Sequence, residues 1–332
     1  MRRFLDRVGA AWRHRGREGR EAALLRWNVK ALGSALAMQA YAAQQGGFAA
    51  PAAPVPAGLG SRACCQADIE SPWLRHWCGR LGLAPLYHRK VWEDAWVVQM
   101  LWEAGMLAPG RRGLGFAVGT EAMPALFAAE GAEILATDLA AEDSKARVWR
   151  DTTQHADGAA ALYRPALLGR EAFDARVRFR PVDMNALPAD LLDGGFDFLW
   201  SVCAIEHLGS IEATLDFVVQ AMRCLKPGGI AVHTTEYNLV SAGPTIESGT
   251  TVLLQDRHVD RLARRVAAAG HALLPRVPQP PPSPLDLYID LPPYQTLEER
   301  ARGTVEPPHL RMAHAGYDVT SLGLVLRAGP PA

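Results

Sequence analysis

The sequence predicts a doubly wound α/β fold: a mostly parallel seven-stranded sheet with a C-terminal antiparallel hairpin, preceded by an N-terminal helical cap. Three observations predict it. Gly113 to Asp138, GLGFAVGTEAMPALFAAEGAEILATD, reads as strand, tight glycine turn, helix, strand, acid. From there to Gly270, apolar strand-like runs alternate with amphipathic helical runs, the pattern of crossovers between parallel strands. The last two strand-like runs, His309–Ala315 and Thr320–Arg327, surround Gly316-Tyr317 with no helix between them, which makes an edge hairpin.

Bulk numbers exclude several classes. The chain has 332 residues, enough for a large core, and 35 Lys and Arg balance 35 Asp and Glu. No global field therefore points to nucleic acid or acidic lipid, although the first thirty residues hold nine Arg or Lys against three acids. Five cysteines (Cys64, Cys65, Cys78, Cys203, Cys224) make no CxxC, so neither a disulfide framework nor a zinc knuckle is indicated and a reducing cytoplasm fits. There is no apolar run of about 18 residues for a membrane span, nor the apolar core and cleavage pattern of a signal peptide.

In order, residues 1–45 read as a helix rich in Arg and Ala. It is either a solvated amphipathic helix or a peripheral membrane contact or organelle-targeting peptide. Residues 46–60, GGFAAPAAPVPAGLG, read as a mobile Gly/Ala/Pro linker, so residues 1–60 are an appendage. Residues 61–108 form the helical cap. One helix starts at Ser71-Pro72 with Trp73, Leu74, Trp77 and Leu81 on its face; another spans His88 to Leu107. Trp92, Trp96 and Trp102 read as core between helices rather than as a pocket wall. Residues 109–332 are then the main domain.

Within it, the helix 121–130 tolerates Pro124 in its first turn, and Ile134–Thr137 is a short buried strand. Asp138 at that strand's carboxyl end suits a ribose diol, because a carboxylate accepts from both hydroxyls. A nucleoside-containing cofactor is thereby indicated. A helix over Ala140–Thr153 leads to Gln154-His155, and residues 156–175 hold loop and one helix. Val177–Val182 is a strand ending at Asp183-Met184-Asn185, and Phe196–Cys203 is a strand apolar on both faces. Ile211–Leu225 is amphipathic, stopped by Lys226-Pro-Gly-Gly229; Ile230–Thr235 is the next strand, ending at Glu236-Tyr237-Asn238. Gln255–Gly270 is a helix. Residues 275–308, with ten prolines, are an insertion that is either a functional lid or a mobile loop.

Gly113-x-Gly115-x-x-x-Gly119 by itself also admits a nicotinamide cofactor, but no catalytic Tyr/Lys pair accompanies it. Four later features decide: Asp183 after the third strand, FDFLWSVCAIEHL, the CLKPGG turn and the terminal hairpin. In that order they resemble class I S-adenosylmethionine-dependent methyltransferases, over roughly residues 90–327. HRKVWE…RRGLGFAVGTE, FRPVDMNALP, FDFLWSVCAIEHLGS and CLKPGGIAVHTTEYN are similar to a bacterial subgroup acting in surface-glycan or secondary-metabolite pathways.

The resemblance implies roles. The turn of Gly113, Gly115, Ala117 and Gly119 would carry the methionine part of the cofactor, Asp138 the ribose, and Asp183 with Met184 the adenine. Ser201 and Cys203 would border the sulfonium. Gly113 stands where the family has an acid and Ala117 where it has a glycine; Glu121 would supply a carboxylate near the cofactor amine. The competing reading of Asp138 and Asp183 is that of helix-capping acids. The two departures also support a second class of function, a binding or scaffold protein with a degenerate methyltransferase fold.

Methyl transfer from a sulfonium is an in-line displacement, so the protein mainly aligns groups. An alcohol nucleophile also needs a base. His207 and Glu206 are the candidates, the alternative being that the pair caps a loop; His233, inside a strand, reads as structural. Glu236, Tyr237, Asn238 and His155 would hydrogen-bond a small-molecule or glycan acceptor. No metal site is indicated: Asp256 and His258, two apart on a helix, do not share a face. Nucleic acid is not indicated either, because Asp290-Leu-Pro-Pro-Tyr294 lies in the late insertion rather than after the fourth strand.

Overall fold

The computed structural model describes residues 2–44, 50–141, 155–240, 242–294 and 307–330. Along the chain, α1 (Arg2–Gln44) is followed by β1 (Arg62–Ala63), α2 (Gln66–Ile69), α3 (Pro72–Leu81) and α4 (Arg89–Glu103). The α/β body comprises β2 (Arg112–Phe116), α5 (Met123–Ala129), β3 (Glu133–Asp138), α6 (Arg170–Arg176), β4 (Val177–Pro181), β5 (Phe196–Ser201), α7 (Ile211–Ala221), β6 (Leu225–Asn238) and α8 (Asp256–Ala268). It ends with β7 (Ala272–Leu273), β8 (Ile289–Asp290), β9 (Arg311–His314) and β10 (Tyr317–Arg327).

The sheet order is β4-β3-β2-β5-β6-β10-β9-β8, with β1 and β7 also paired to β10. Strands β2 to β6 pair in parallel, and β10 runs antiparallel to β6 and to β9. The seven expected strands and the hairpin are therefore present, turned at Ala315 and Gly316, both at positive φ as a tight hairpin turn requires. The Lys226–Gly229 segment does not end a helix. It lies at the start of β6, where Gly228 has positive φ and the β5–β6 register shifts.

Strand pleating sends side chains alternately to the two helical layers. Phe198 and Trp200 of β5 face the α3–α5 layer, and Leu199 faces α7 and α8. Their bulk explains two glycines. A Cβ on Gly113 would overlap the Phe198 ring, and one on Gly115 would overlap the Trp200 ring. Both glycines lie within β2 and not in the turn, so their role is packing. Phe127 of α5 closes this layer edge-on to Phe198 and Trp200, at 5.7 and 4.9 Å. On the same face Gly323 of β10 leaves the space that Trp96 fills, and Trp92 stacks on Trp96 at 5.2 Å. Both tryptophans are fully buried, as the core reading expected.

The outer side of β10 is covered by β9, β1 and β7, which removes an open edge. This explains why residues 50–60 are no free linker. Pro51 O and Val55 O are bonded to His76 and Gln99, and the amides of Ala57 and Gly58 to Glu103. The proline-rich stretch docks alongside: Val277 N donates to Ser61 O, and Asp286 accepts from Gln66 N at 2.6 Å. Its described part is a fixed strap; residues 295–306, the helix predicted over 140–153 beyond residue 141, and Gln154 lie outside the described residues. Helix α1 is not a free appendage either. Lys30 pairs with buried Asp290 at 2.7 Å, Ala37 is buried, and the Tyr41 hydroxyl accepts from Tyr87 N at 2.9 Å.

Candidate active site

The chain leaves β2 toward β3 and β4 on one side, and leaves β5 toward β6 on the other. The crevice at the carboxyl ends of β2 and β5 is thus the topological switch point, where sheets of this kind bind ligands. Two non-glycine residues in the left-handed region mark it. Ala117 and Cys203, both at φ 48°, lie one and two residues beyond the paired ends Phe116 and Ser201. Such strain persists where surrounding structure enforces it, often at functional sites.

The turn after β2 runs from Ala117 to Ala122, with Gly119 at φ 51°. Gly119 N–H donates to Asp138 Oδ2 at 3.1 Å, which ties the turn to the end of β3. Leu139 N donates to Oδ1 at 2.8 Å and Ala156 N to Oδ2 at 3.3 Å. Burial pushes the Asp138 carboxyl up, and these three amides, with His155, oppose it. His155 is a prop and not an acceptor ligand: its ring nitrogens are taken by Asp157 and Leu139 O, both at 2.9 Å. Asp183 stands two residues beyond Pro181, the residue of β4 paired with Asp138, and accepts from Asn185 N at 2.8 Å; Met184 is buried against the α7–α8 layer.

Three predicted residues point elsewhere. Ser201 is fully buried and shares a 2.8 Å hydrogen bond with His233, within the sheet and away from the crevice. The Tyr237 hydroxyl donates to Asp256 at 2.6 Å, on the α8 side. Asn238 folds the following loop, through Thr245 and Val240 N. For Tyr237 pleat parity is the reason: Glu236 faces the crevice layer, so its neighbour cannot.

Helix α4 supplies a charged group that the sequence reading left out. Arg89, 5% exposed, donates to Glu236 Oε1 at 2.7 Å, Glu93 Oε1 at 3.1 Å, Ser321 Oγ at 3.3 Å and Cys203 Sγ at 3.4 Å. Ser321 also bonds Glu93, which is fully buried, and Lys90 lies 3.4 Å from Glu93. Burial pushes Asp94 up to about 7, with Glu93 adding to it and Lys90 opposing. Glu121 is also pushed well up, by burial first and then by Asp94, and its Oε2 is buried without a hydrogen-bond partner. A spacing signal existed: Arg89/Glu93 and Lys90/Asp94 are i,i+4 pairs. What marks them as a site rather than a solvated face is visible only in three dimensions.

Across the crevice, the one-turn helix Ile205–His207 presents Glu206, fully buried, with neither carboxylate oxygen hydrogen-bonded among the described residues. Burial pushes its carboxyl up; His207, Lys90 and the Cys203 thiol pull it back, while Glu236 adds to the rise. His207 Nδ1 is 2.8 Å from Thr250 O, and Nε2 is 4.0 Å from Glu206. Cys203 is held as a neutral thiol, by burial first and then by Glu206. Cys203, Glu206 and Glu236 lie within 4.8 Å of one another, close enough for a metal. Arg89 already donates to two of them and supplies the positive charge that a metal would bring.

Residues 114–233 match the family described as Methyltransferase domain. Those residues are an S-adenosylmethionine-dependent methyltransferase domain. No curated protein matches the chain. Among solved structures, the domain is similar to the [4+2]-cyclase SpnF, at 18% identity over 83% of this chain and 100% of that one, TM-score 0.45. It is also similar to an S-adenosylmethionine-dependent methyltransferase from Mesorhizobium loti, at 17% identity over 68% and 95%, TM-score 0.39. Magnesium protoporphyrin IX methyltransferase from Synechocystis PCC 6803 matches at 11% identity over 70% and 80%, TM-score 0.40.

The cofactor of such a domain is S-adenosylmethionine, and the methyltransferase crevice fits its chemistry. It offers a cationic ligand the unpartnered Oε2 of Glu121 beside the turn, and a strand-end acid at Asp138.

Burial drives His233 down to about 3, so the folded domain keeps this imidazole neutral. Its contribution is complete above the unfolded pKa near 6.5 and is lost as pH falls toward the folded value. The stability difference between wild type and His233→Gln should therefore move against wild type by about 1.4 kcal/mol per pH unit below pH ~6. Urea unfolding at several pH values checks this; a constant difference would show that His233 is not held neutral by burial.

Proposed function

We propose that the methyltransferase domain methylates a hydroxyl group of a small-molecule or glycan acceptor, with Glu206 taking the proton. One observation carries this reading: a fully buried carboxylate with two unpartnered oxygens at the carboxyl end of β5. Burial leaves Glu206 a stronger base than an exposed glutamate, and a hydroxyl is the donor it lacks. His207, anchored by Thr250 O, turns its other ring nitrogen toward Glu206 and acts as a positioning residue. Glu236, fixed by Arg89, keeps Oε2 for a second acceptor hydroxyl.

The 117–122 turn and Glu121 would hold the methionine part of the cofactor, Asp138 the ribose, and Asp183 with Met184 the adenine. When bound, the cofactor supplies an electrophilic methyl group on a sulfonium. The chain's own contribution is alignment, exclusion of water and a proton acceptor at Glu206. The scaffold reading loses half its ground, because Gly113 is a packing residue beneath Phe198 rather than a gap in the cofactor turn.

Turnover against a panel of hydroxylated sugars and small alcohols, with the product's methylated atom located by NMR, tests the reading. A methyl ether supports it. Methylation on nitrogen or carbon overturns it, and so does a cofactor that binds but never turns over. Asp138→Ala should weaken S-adenosylhomocysteine binding about ten- to hundredfold by calorimetry, through loss of hydrogen bonds to a charged acceptor. Unchanged affinity would remove Asp138 from the ribose site.

A further inference from the structure

Helix α1 carries two unlike halves. Residues 2–21 contain seven Arg against Asp6, Glu18 and Glu21, whereas residues 22–44 contain only Arg26 and Lys30 as charges. The second half docks on the body along Lys30, Gly33, Ala37 and Tyr41, at successive helical spacings of three and four. The rest of its surface is open and largely apolar, with Asn28 and Gln39 its exposed uncharged polar residues. Leu24, Leu25, Trp27 and Leu32 are 63, 65, 69 and 67% exposed, and Val29 and Leu36 are exposed beside them.

On a helical wheel Leu25, Val29, Leu32 and Leu36 form one stripe, flanked by Leu24. Arg26 and Lys30 fall together on the docked side. The outward arc is thus uncharged, with basic residues on its flank and at its N-terminal end. A stable monomer in water rarely leaves such a patch bare. No described helix is long and apolar enough to cross a membrane, so the helix is suited to lie along a surface and not to span it.

We propose that α1 docks the protein on an anionic lipid bilayer, with the leucine stripe in the headgroup–acyl boundary. Charge favours this occupant. The first thirty residues carry nine basic residues against three acids, and the chain as a whole is neutral, so its remainder is net acidic. An anionic surface attracts the basic end and repels the body, which orients the crevice relative to the bilayer. A second copy packed in parallel would set like charge on like charge.

Flotation of the full chain with phosphatidylcholine vesicles, with and without phosphatidylglycerol, tests the proposal. Binding is expected to the phosphatidylglycerol vesicles, weakening as salt is raised. Leu25→Ser/Leu32→Ser/Leu36→Ser should reduce it at least tenfold, as should Arg13→Gln/Arg15→Gln/Arg17→Gln/Arg20→Gln. S-adenosylhomocysteine affinity should be unchanged in both, which shows that the body is still folded. Failure to float with either vesicle overturns the proposal. So does light scattering that shows a stable dimer dispersed by the leucine substitutions, which would assign the stripe to a second copy.

Discussion

Replacing Glu206 by Gln should lower kcat about a hundredfold to ten-thousandfold, while S-adenosylhomocysteine affinity stays within a few-fold. The range is that of a positioned general base. Gln keeps the volume and can occupy the same pocket, but its amide cannot take a proton. The folded domain should tolerate the change, because wild-type Glu206 holds a desolvated carboxyl with no hydrogen-bond partner, and an uncharged amide removes that burden. A gain in stability beside a loss of turnover is the combination to look for, by chemical denaturation and by initial rates. His207→Gln, which alters positioning only, should cost less and should shift the pH profile. Equal losses in both variants, with kcat/KM scaling on stability, would reduce Glu206-His207 to a loop cap.

The largest effect on stability is expected from Arg89→Met. Arg89 stands between Glu93 and Glu236, which are 0 and 6% exposed. Removal leaves two buried carboxylates facing one another's field, with Lys90 the nearby cation at 3.4 Å from Glu93. Breaking a buried ion pair from one side costs about 3–5 kcal/mol. The pH dependence separates this from lost packing. Burial raises the Glu236 carboxyl, and Arg89, Lys90, His314 and His207 together more than offset it, so in wild type the group's contribution is present above the ordinary glutamate pKa and fades as pH falls. In Arg89→Met the largest of those offsets is gone, and protonation relieves the strain, so the penalty should shrink between pH 7.5 and about 5. Arg89→Met/Glu236→Leu should recover part of the loss. A penalty independent of pH would mean that Arg89 acts through its aliphatic stem.

Much of the site was legible where chemistry sits at a strand end. Asp138, Asp183, Cys203, Glu206 and Glu236 all lie at carboxyl ends of parallel strands, and the alternation of strands and helices alone places those ends together. Tyr237 sits one residue from Glu236, and one residue in a strand is the opposite face; Ser201 ends its strand, but its hydroxyl turns to His233 of the neighbouring strand, which only the pairing reveals. Gly113 and Gly115 were misplaced because a glycine marks either a turn or a close approach, and only Phe198 and Trp200 of the neighbouring strand say which. Residues 46–60 read as a linker from Gly, Ala and Pro content, but the backbone of Pro51, Val55, Ala57 and Gly58 is hydrogen-bonded to side chains of α3 and α4.

The sequence by itself determined the fold class, which follows from local periodicity, turn residues and the crossover rule, and its resemblance to methyltransferases pointed to the cofactor. The tertiary structure alone decided which side chains meet in the crevice. Arg89 and Glu93 lie far from Glu236 and Ser321 in sequence and come together only when α4 packs across β6 and β10. The rise of the Asp94 and Glu206 carboxyls comes first from desolvation, a property of the assembled interior and not of any one segment.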